Sequence, residues 1–353
     1  MLNTRIGENY NANDVINSND LRKRILNIDS RFRTDCADST TNFSFRLAHP
    51  YKNVIRARVA SIEIPNMMYV FSEKKGNTTF KIKTTDFIGI PHLLQIKIPD
   101  GNYTSAELVD EIQTQLDSGL KTPYGIFMTV SLNTINAKIT FINNGLAPTP
   151  ISSTTTPSLP ARPFILDFIK PSCLNKKDYY PPLGASLGFK GQLYKVEIAN
   201  PSPPTPYALY SITAENCLDV VGDTYMFLAV NDLYAVDQRT KENIVQVLAK
   251  IIVREDRQAV IYDDGATLLS NEIIFPSPVD ISLLKVQLLD PWGNVIDLCG
   301  INFSFSLEIT EVLNTRLYDF YRNYIWLGTI PSVPYKKVTG SAQPLLRGIG
   351  PPF

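Results

Sequence analysis

Histidine is almost missing from this chain: only His49 and His92 occur in 353 residues. Neither stands at ligand spacing from the other or from a cysteine, which leaves little scope for a metal site. Four cysteines (Cys36, Cys173, Cys217, Cys299) are scattered without a CxxC pair. The first twenty residues are polar and Asn-rich, unlike a secretory leader. Such thiols are expected to be reduced and structural, in a protein made inside a cell. No apolar run approaches bilayer-spanning length. Net charge is missing too. Thirty-four basic residues balance thirty-four acidic ones, which leaves no overall field to attract nucleic acid or anionic membrane. There is no GxxxxGK[ST] phosphate loop, and no cofactor, metal or small-molecule substrate is expected.

What is present is alternation. From Asn42 the apolar period is two, with Phe43, Phe45 and Leu47 on one face. Residues 54–64 repeat it with Arg56 and Arg58 outward, until Pro65-Asn66 ends the run. Further strands are expected near 68–71, 78–83 and 93–98, and at 218–221, 225–230, 244–253, 258–262, 283–289, 295–298 and 302–312. A hairpin is expected from 126–132 and 138–142. One amphipathic helix stands among them. Asp100-Gly101 turns the chain, Thr104 caps, Glu107 completes a capping box, and Leu108, Ile112 and Leu116 share a face. Pro-rich stretches at 146–163 and 200–206 read as loops.

Asn42-Phe43-Ser44-Phe45-Arg46-Leu47 is echoed by Asn302-Phe303-Ser304-Phe305-Ser306-Leu307. First and last strands lying side by side with matched inward Phe faces would explain the echo. The expected fold is therefore mainly β: a jelly-roll-type antiparallel β-sandwich with an inserted small α/β lobe and extended N- and C-terminal arms. The expected boundaries are an arm at 1–30, a body at 31–313 with the lobe at about 99–191, and a docking extension at 314–353. Two consecutive sandwiches, 31–199 and 200–313, are the alternative.

Gly184-Ala185-Ser186-Leu187-Gly188 matches the GxSxG elbow of hydrolases. The elbow needs a preceding strand, a following helix and a later histidine. Here Pro181-Pro182 precedes it and both histidines come earlier, so a turn is expected and no enzyme. Asp263-Asp264-Gly265 lacks the alternating oxygen ligands of a calcium loop and reads as a hairpin turn. The candidate interface residues lie near the ends. Arg22, Lys23, Arg24, Arg31 and Arg33 are on the first, and Arg316, Tyr318, Phe320, Tyr321, Arg322, Tyr324, Trp326, Lys336 and Lys337 on the second. Basic plus aromatic residues suit nucleic acid, but aromatics docking into a neighbouring subunit fit better.

Several stretches in order carry a resemblance. They are Asn27-Ile28-Asp29-Ser30-Arg31-Phe32-Arg33, Phe43-Ser44-Phe45, Lys52-Asn53-Val54 leading to Ser61-Ile62-Glu63-Ile64-Pro65-Asn66, and the Ile98-Pro99-Asp100-Gly101-Asn102-Tyr103 helix entry. Leu187-Gly188-Phe189, Tyr225-Met226-Phe227-Leu228, Asp290-Pro291-Trp292-Gly293-Asn294 and the Phe303 repeat follow. Over about residues 27–312 the chain resembles minor capsid proteins of large icosahedral nucleocytoplasmic double-stranded DNA viruses. The resemblance implies a non-enzymatic jelly-roll protein of the capsid shell, assembled in the host cytoplasm. It implies partners among the major capsid protein and other minor capsid proteins. A penton or vertex protein is the alternative within that class, with a nucleic-acid-binding protein and a GxSxG hydrolase further off.

Overall fold

Alternation from Asn42 onward builds one very long strand, and the body of the protein is arranged around it. The computed structural model describes residues 21–86, 88–145, 162–169, 180–196, 210–231, 233–234, 236–239, 244–264 and 272–316. Its strands are, in the first part, β1 (Leu21–Asp29), β2 (Asn42–Pro65), β3 (Thr79–Thr85), β4 (Pro91–Lys97), β5 (Phe127–Asn133), β6 (Lys138–Gly145), β7 (Phe164–Asp167) and β8 (Leu193–Val196). Then come β9 (Tyr210–Thr213), β10 (Tyr225–Val230), β11 (Val236–Arg239), β12 (Ile244–Val247), β13 (Ala249–Ile252), β14 (Val260–Asp263), β15 (Ile273–Leu289) and β16 (Ser304–Val312). One long helix, α1 (Ser105–Leu116), accompanies them.

The largest sheet runs β1-β16-β2-β15-β10-β13, with β14 also on β2. All its pairings are antiparallel. The fold is mainly β, a jelly-roll-like sandwich that curls on itself. β2 is twenty-four residues long because it crosses Pro50 at an irregularity. The β15 register shifts between Ile281 and Leu283, opposite Tyr51 and Arg46. Asn53 nearby has a left-handed φ of 55°. Such bulges bend a strand and raise its twist. The bend brings Phe43 near the start of β16, where its ring meets Phe303 edge-on at 6.0 Å.

The two echoed segments share one core, but they do not pair with each other. Phe43 lies opposite Val286 of β15, and Phe305 opposite Ile62 of β2 and Ile28 of β1. The strands that carry them are neighbours, as expected, but β16 pairs with the Val54–Glu63 half of β2, so the two Phe-bearing segments meet by packing and not in register. Asp263-Asp264 is likewise no tight hairpin. β14 and β15 both pair with β2, at Ile62–Pro65 and Asn42–Ala57 respectively, and not with one another. Residues 68–71, 218–221 and 295–298 make no strands; Phe71 and Val295 form single bridges.

A second core holds α1. Its capping box is complete: Thr104 Oγ1 accepts from the Glu107 amide at 3.2 Å, and Glu107 Oε2 from the Thr104 amide at 2.8 Å. Leu108, Val109, Ile112 and Leu116 are buried against a cluster running from Phe71 to Leu218. That cluster is wider than 99–191, because one helical face cannot be covered by the hairpin β5–β6 alone. Phe80, Ile82 and Ile96 of β3 and β4 complete it. Asp100 anchors the helix entry, accepting from the Glu73 amide at 2.8 Å and the Ser72 hydroxyl at 3.0 Å. Gly101 exchanges backbone bonds with Phe71.

The GxSxG segment closes this core. Pro182 leads into a short helix, Leu183–Ser186, and the described residues directly before it, 180–182, are not strand. A Cβ on Gly184 would lie 2.4 Å from the Phe168 ring, which stacks on Phe189 at 5.0 Å. Gly188 has φ +90°, and a Cβ there would lie 2.3 Å from the Asn216 carbonyl oxygen. These glycines admit close packing and a left-handed turn. Gly188→Ala is expected to lower stability by more than about 1 kcal/mol in denaturant unfolding. Gly300→Ala is the control, since φ there is +76° but nothing lies within 4 Å. Equal losses for the two would remove the close-packing explanation.

Candidate interfaces at the two ends of the body

β1 and β16 pair in unbroken register, with Leu21 opposite Val312 and Asp29 opposite Ser304. The described chain therefore enters and leaves the sheet at the same corner. This changes the reading of residues 1–30 as an arm: from Leu21 onward the chain is sheet. Its Ile28 is fully buried, a pull that the polar residues 22–24 concealed in the sequence.

The basic residues of β1 are held within the chain. Arg22 and Arg24 reach Glu311 Oε2 at 2.9 and 3.2 Å, and Lys23 reaches Glu308 at 2.9 Å. Arg58 of β2 meets Glu308 from the other side at 2.7 Å. Arg31 forks onto Asp29, holding that carboxyl below its ordinary range. Arg33 donates to the carbonyls of Ser30 and Cys36. Arg316 is exposed just past the corner. Tyr318, Phe320, Tyr321, Arg322, Tyr324, Trp326, Lys336 and Lys337 lie outside the described residues.

Hydrogen bonds from Lys23 and then Arg58 hold the Glu308 carboxyl below its ordinary 4.5. A depressed carboxylate stabilises the fold above its unfolded pKa, and the contribution is lost as pH falls through the folded value. Melting temperature should therefore drop below about pH 4.5, and Glu308→Gln should flatten that part of the profile. An unchanged acid limb in the variant would refute the assignment.

The other end of β2 opens onto a seam between the two cores. Asn66, which follows the strand, is only 4% exposed. Its Nδ2 donates to the carbonyls of Glu255 at 2.9 Å and Asp256 at 3.3 Å. Its Oδ1 has no partner, and flipping the amide would set that oxygen against two carbonyls. Two hollows of about 410 and 470 Å3 meet here, sharing Lys75, Tyr180 and Asp223. Lys75 Nζ donates to the Tyr69 carbonyl at 2.6 Å and sits 5.6 Å from the Tyr180 ring centre. Burial pushes the Lys75 ammonium down, with Asp223 and Asp290 opposing. Burial likewise pushes the Asp223 carboxyl up against the pull of Lys75, and the Tyr180 phenol up.

Asp290 opens the Asp-Pro-Trp-Gly-Asn loop. Its Oδ1 accepts from the Trp292 and Asn294 amides at 2.9 and 2.8 Å, and Gly293 supplies a φ of 88°. Sequence reasoning did not single out Asn66, Lys75 or Asp223 for this seam. The one available signal was that Asn66 and Asp290 open or close short non-alternating stretches between strands. Ser186 lines the second hollow without a histidine among its described lining residues. No group of three or more potential metal ligands occurs among the described residues.

No protein-family model matches the chain, and no curated protein does. Among solved structures, the crystal structure of a selenomethionine-labelled mavirus penton protein aligns with a TM-score of 0.41 at 10% identity, covering 82% of this chain and 99% of that one.

Proposed function

We propose that this chain is a structural virion component, a minor capsid protein that cements or scaffolds major capsid capsomers through its sandwich and its terminal segments. The observation that carries the reading is the shared corner: Leu21 and Val312 sit opposite one another, so the described chain enters and leaves the body at one place. An antiparallel body whose first and last strands are paired at one corner suits a part that is anchored in place and carries contact segments at that corner. The ordered motifs resembling nucleocytoplasmic-virus minor capsid proteins support the same role. Major and other minor capsid proteins are its partners, the shell is its location, and no catalysis is required of it.

The test is incorporation into particles assembled in infected cells. Chains lacking residues 1–20, or lacking 330–353, should fold but enter the shell poorly. Full incorporation of both would overturn the reading. Copies confined to fivefold vertices would replace it with a penton role, and a hydrolase activity lost on Ser186→Ala would replace it with an enzyme.

A further inference from the structure

We propose that the seam beside Asn66 is a socket for the basic C-terminal extension of a second copy of this chain. The inference rests on the reading of that extension as a docking element, and not on the virion role.

Three observations converge. The first is an unmet need. Asn66 lines the seam, its Oδ1 is a buried acceptor without a donor, and its amide orientation is locked by two carbonyls. A buried unpaired acceptor is costly, and an N–H group brought to it by a small displacement of the wall on binding would remove that cost.

The second observation is charge. In the first hollow Asp100, Asp223, Asp290 and Asp297 face two lysines, Lys74 and Lys75. Lys74 is bridged to Asp297 at 3.6 Å, and Lys75 is bonded to a carbonyl. In the second, Arg257 already donates to the carbonyls of Met68 and Val221. Asp219, Asp223, Glu255 and Asp256 line that hollow with Lys75, Arg254 and Arg257, so carboxylates exceed cations at the seam. The chain as a whole is neutral. Its residues from Arg316 onward carry five basic side chains against Asp319 alone, so the remainder carries the matching negative excess. Tail and body are complementary.

The third observation is placement. β16 begins at Ser304 opposite Glu63, close to Asn66, and runs away to Val312. At about 3.4 Å per residue the tail leaves the sheet roughly 27 Å from the seam. Exit and socket lie at opposite ends of the same strands. The tail of one copy therefore enters the next without reversing, a heterologous head-to-tail contact.

The test uses the full chain. A fluorescent peptide of residues 330–347, which holds Lys336, Lys337 and Arg347, is titrated into full-length protein carrying Lys336→Glu and Lys337→Glu, whose own tail cannot compete. Saturable binding is expected, weakened about tenfold by Asp223→Asn in the protein, the loss of one favourable charge contact, and weakened by added salt. A peptide with both lysines changed to glutamate should not bind, a control that leaves the fold untouched. In sedimentation, the tail variant and an Asp223→Asn chain should each self-associate less than the unaltered protein. Mixed, they should form one-to-one dimers, because one socket and one tail remain intact. Absence of saturable peptide binding, as for a seam that holds only water or the chain's own tail, overturns the proposal. Binding indifferent to both Asp223 and the lysines overturns it equally. Failure here would leave incorporation into particles unchanged as a test of the virion role.

Discussion

A chain shortened to begin at Leu21 should unfold cooperatively at nearly the denaturant concentration of the intact protein, whereas one beginning at Ser30 should fail to fold or should aggregate. The nine residues between these starts are β1. Removing them uncovers the whole outer edge of β16, and an open edge pairs with other chains. It deletes the fully buried Ile28. It also takes both arginines from Glu311, whose side chain is only 4% exposed. Stranding a buried charge costs about 3–5 kcal/mol, a large share of the roughly 5–15 kcal/mol that keeps a domain folded. Equal stability of the two truncated chains would mean that β1 contributes little. Residues 1–20 are the segment to delete when the role of the N-terminus is tested, since that deletion leaves β1 intact.

Phe305→Ala should cost about 3–5 kcal/mol, and Phe45→Ala distinctly less. Both belong to the echoed motif, yet their surroundings differ. Phe305 is fully buried, stacks on Phe303 at 6.2 Å and lies between β1 and β2. Phe45 is half-buried at the rim of the same core. A cavity in the middle of the curled sheet cannot close without moving three strands, whereas the rim relaxes into solvent. Urea unfolding of the two variants measures the difference. Equal losses would mean that the two aromatic sites are equivalent.

Local signals carried a good part of this structure. The Thr104–Glu107 box reads directly as a helix start because both bonds close within one turn, and period-two alternation reads as strands because neighbouring side chains leave opposite faces. β1 escaped for a physical reason. Its Arg22, Lys23 and Arg24 look solvated until Glu308 and Glu311, nearly three hundred residues later, are brought beside them. The candidate interface residues after Arg316 lie outside the described residues, so for them the sequence is still the only guide.

By itself, then, the sequence determined the β class, the lone capped helix, the poverty of catalytic donors and the basic aromatic tail. These follow from composition and from contacts a few residues apart. Only the tertiary structure decided three other matters. It put β1 into the sheet, it set the register of β16 on the far half of β2 so that Phe43 and Phe303 meet by packing, and it left Asn66 with an unmet acceptor between two cores. Each depends on which distant residues share a register or a cavity, and the spacing along a chain does not encode that locally.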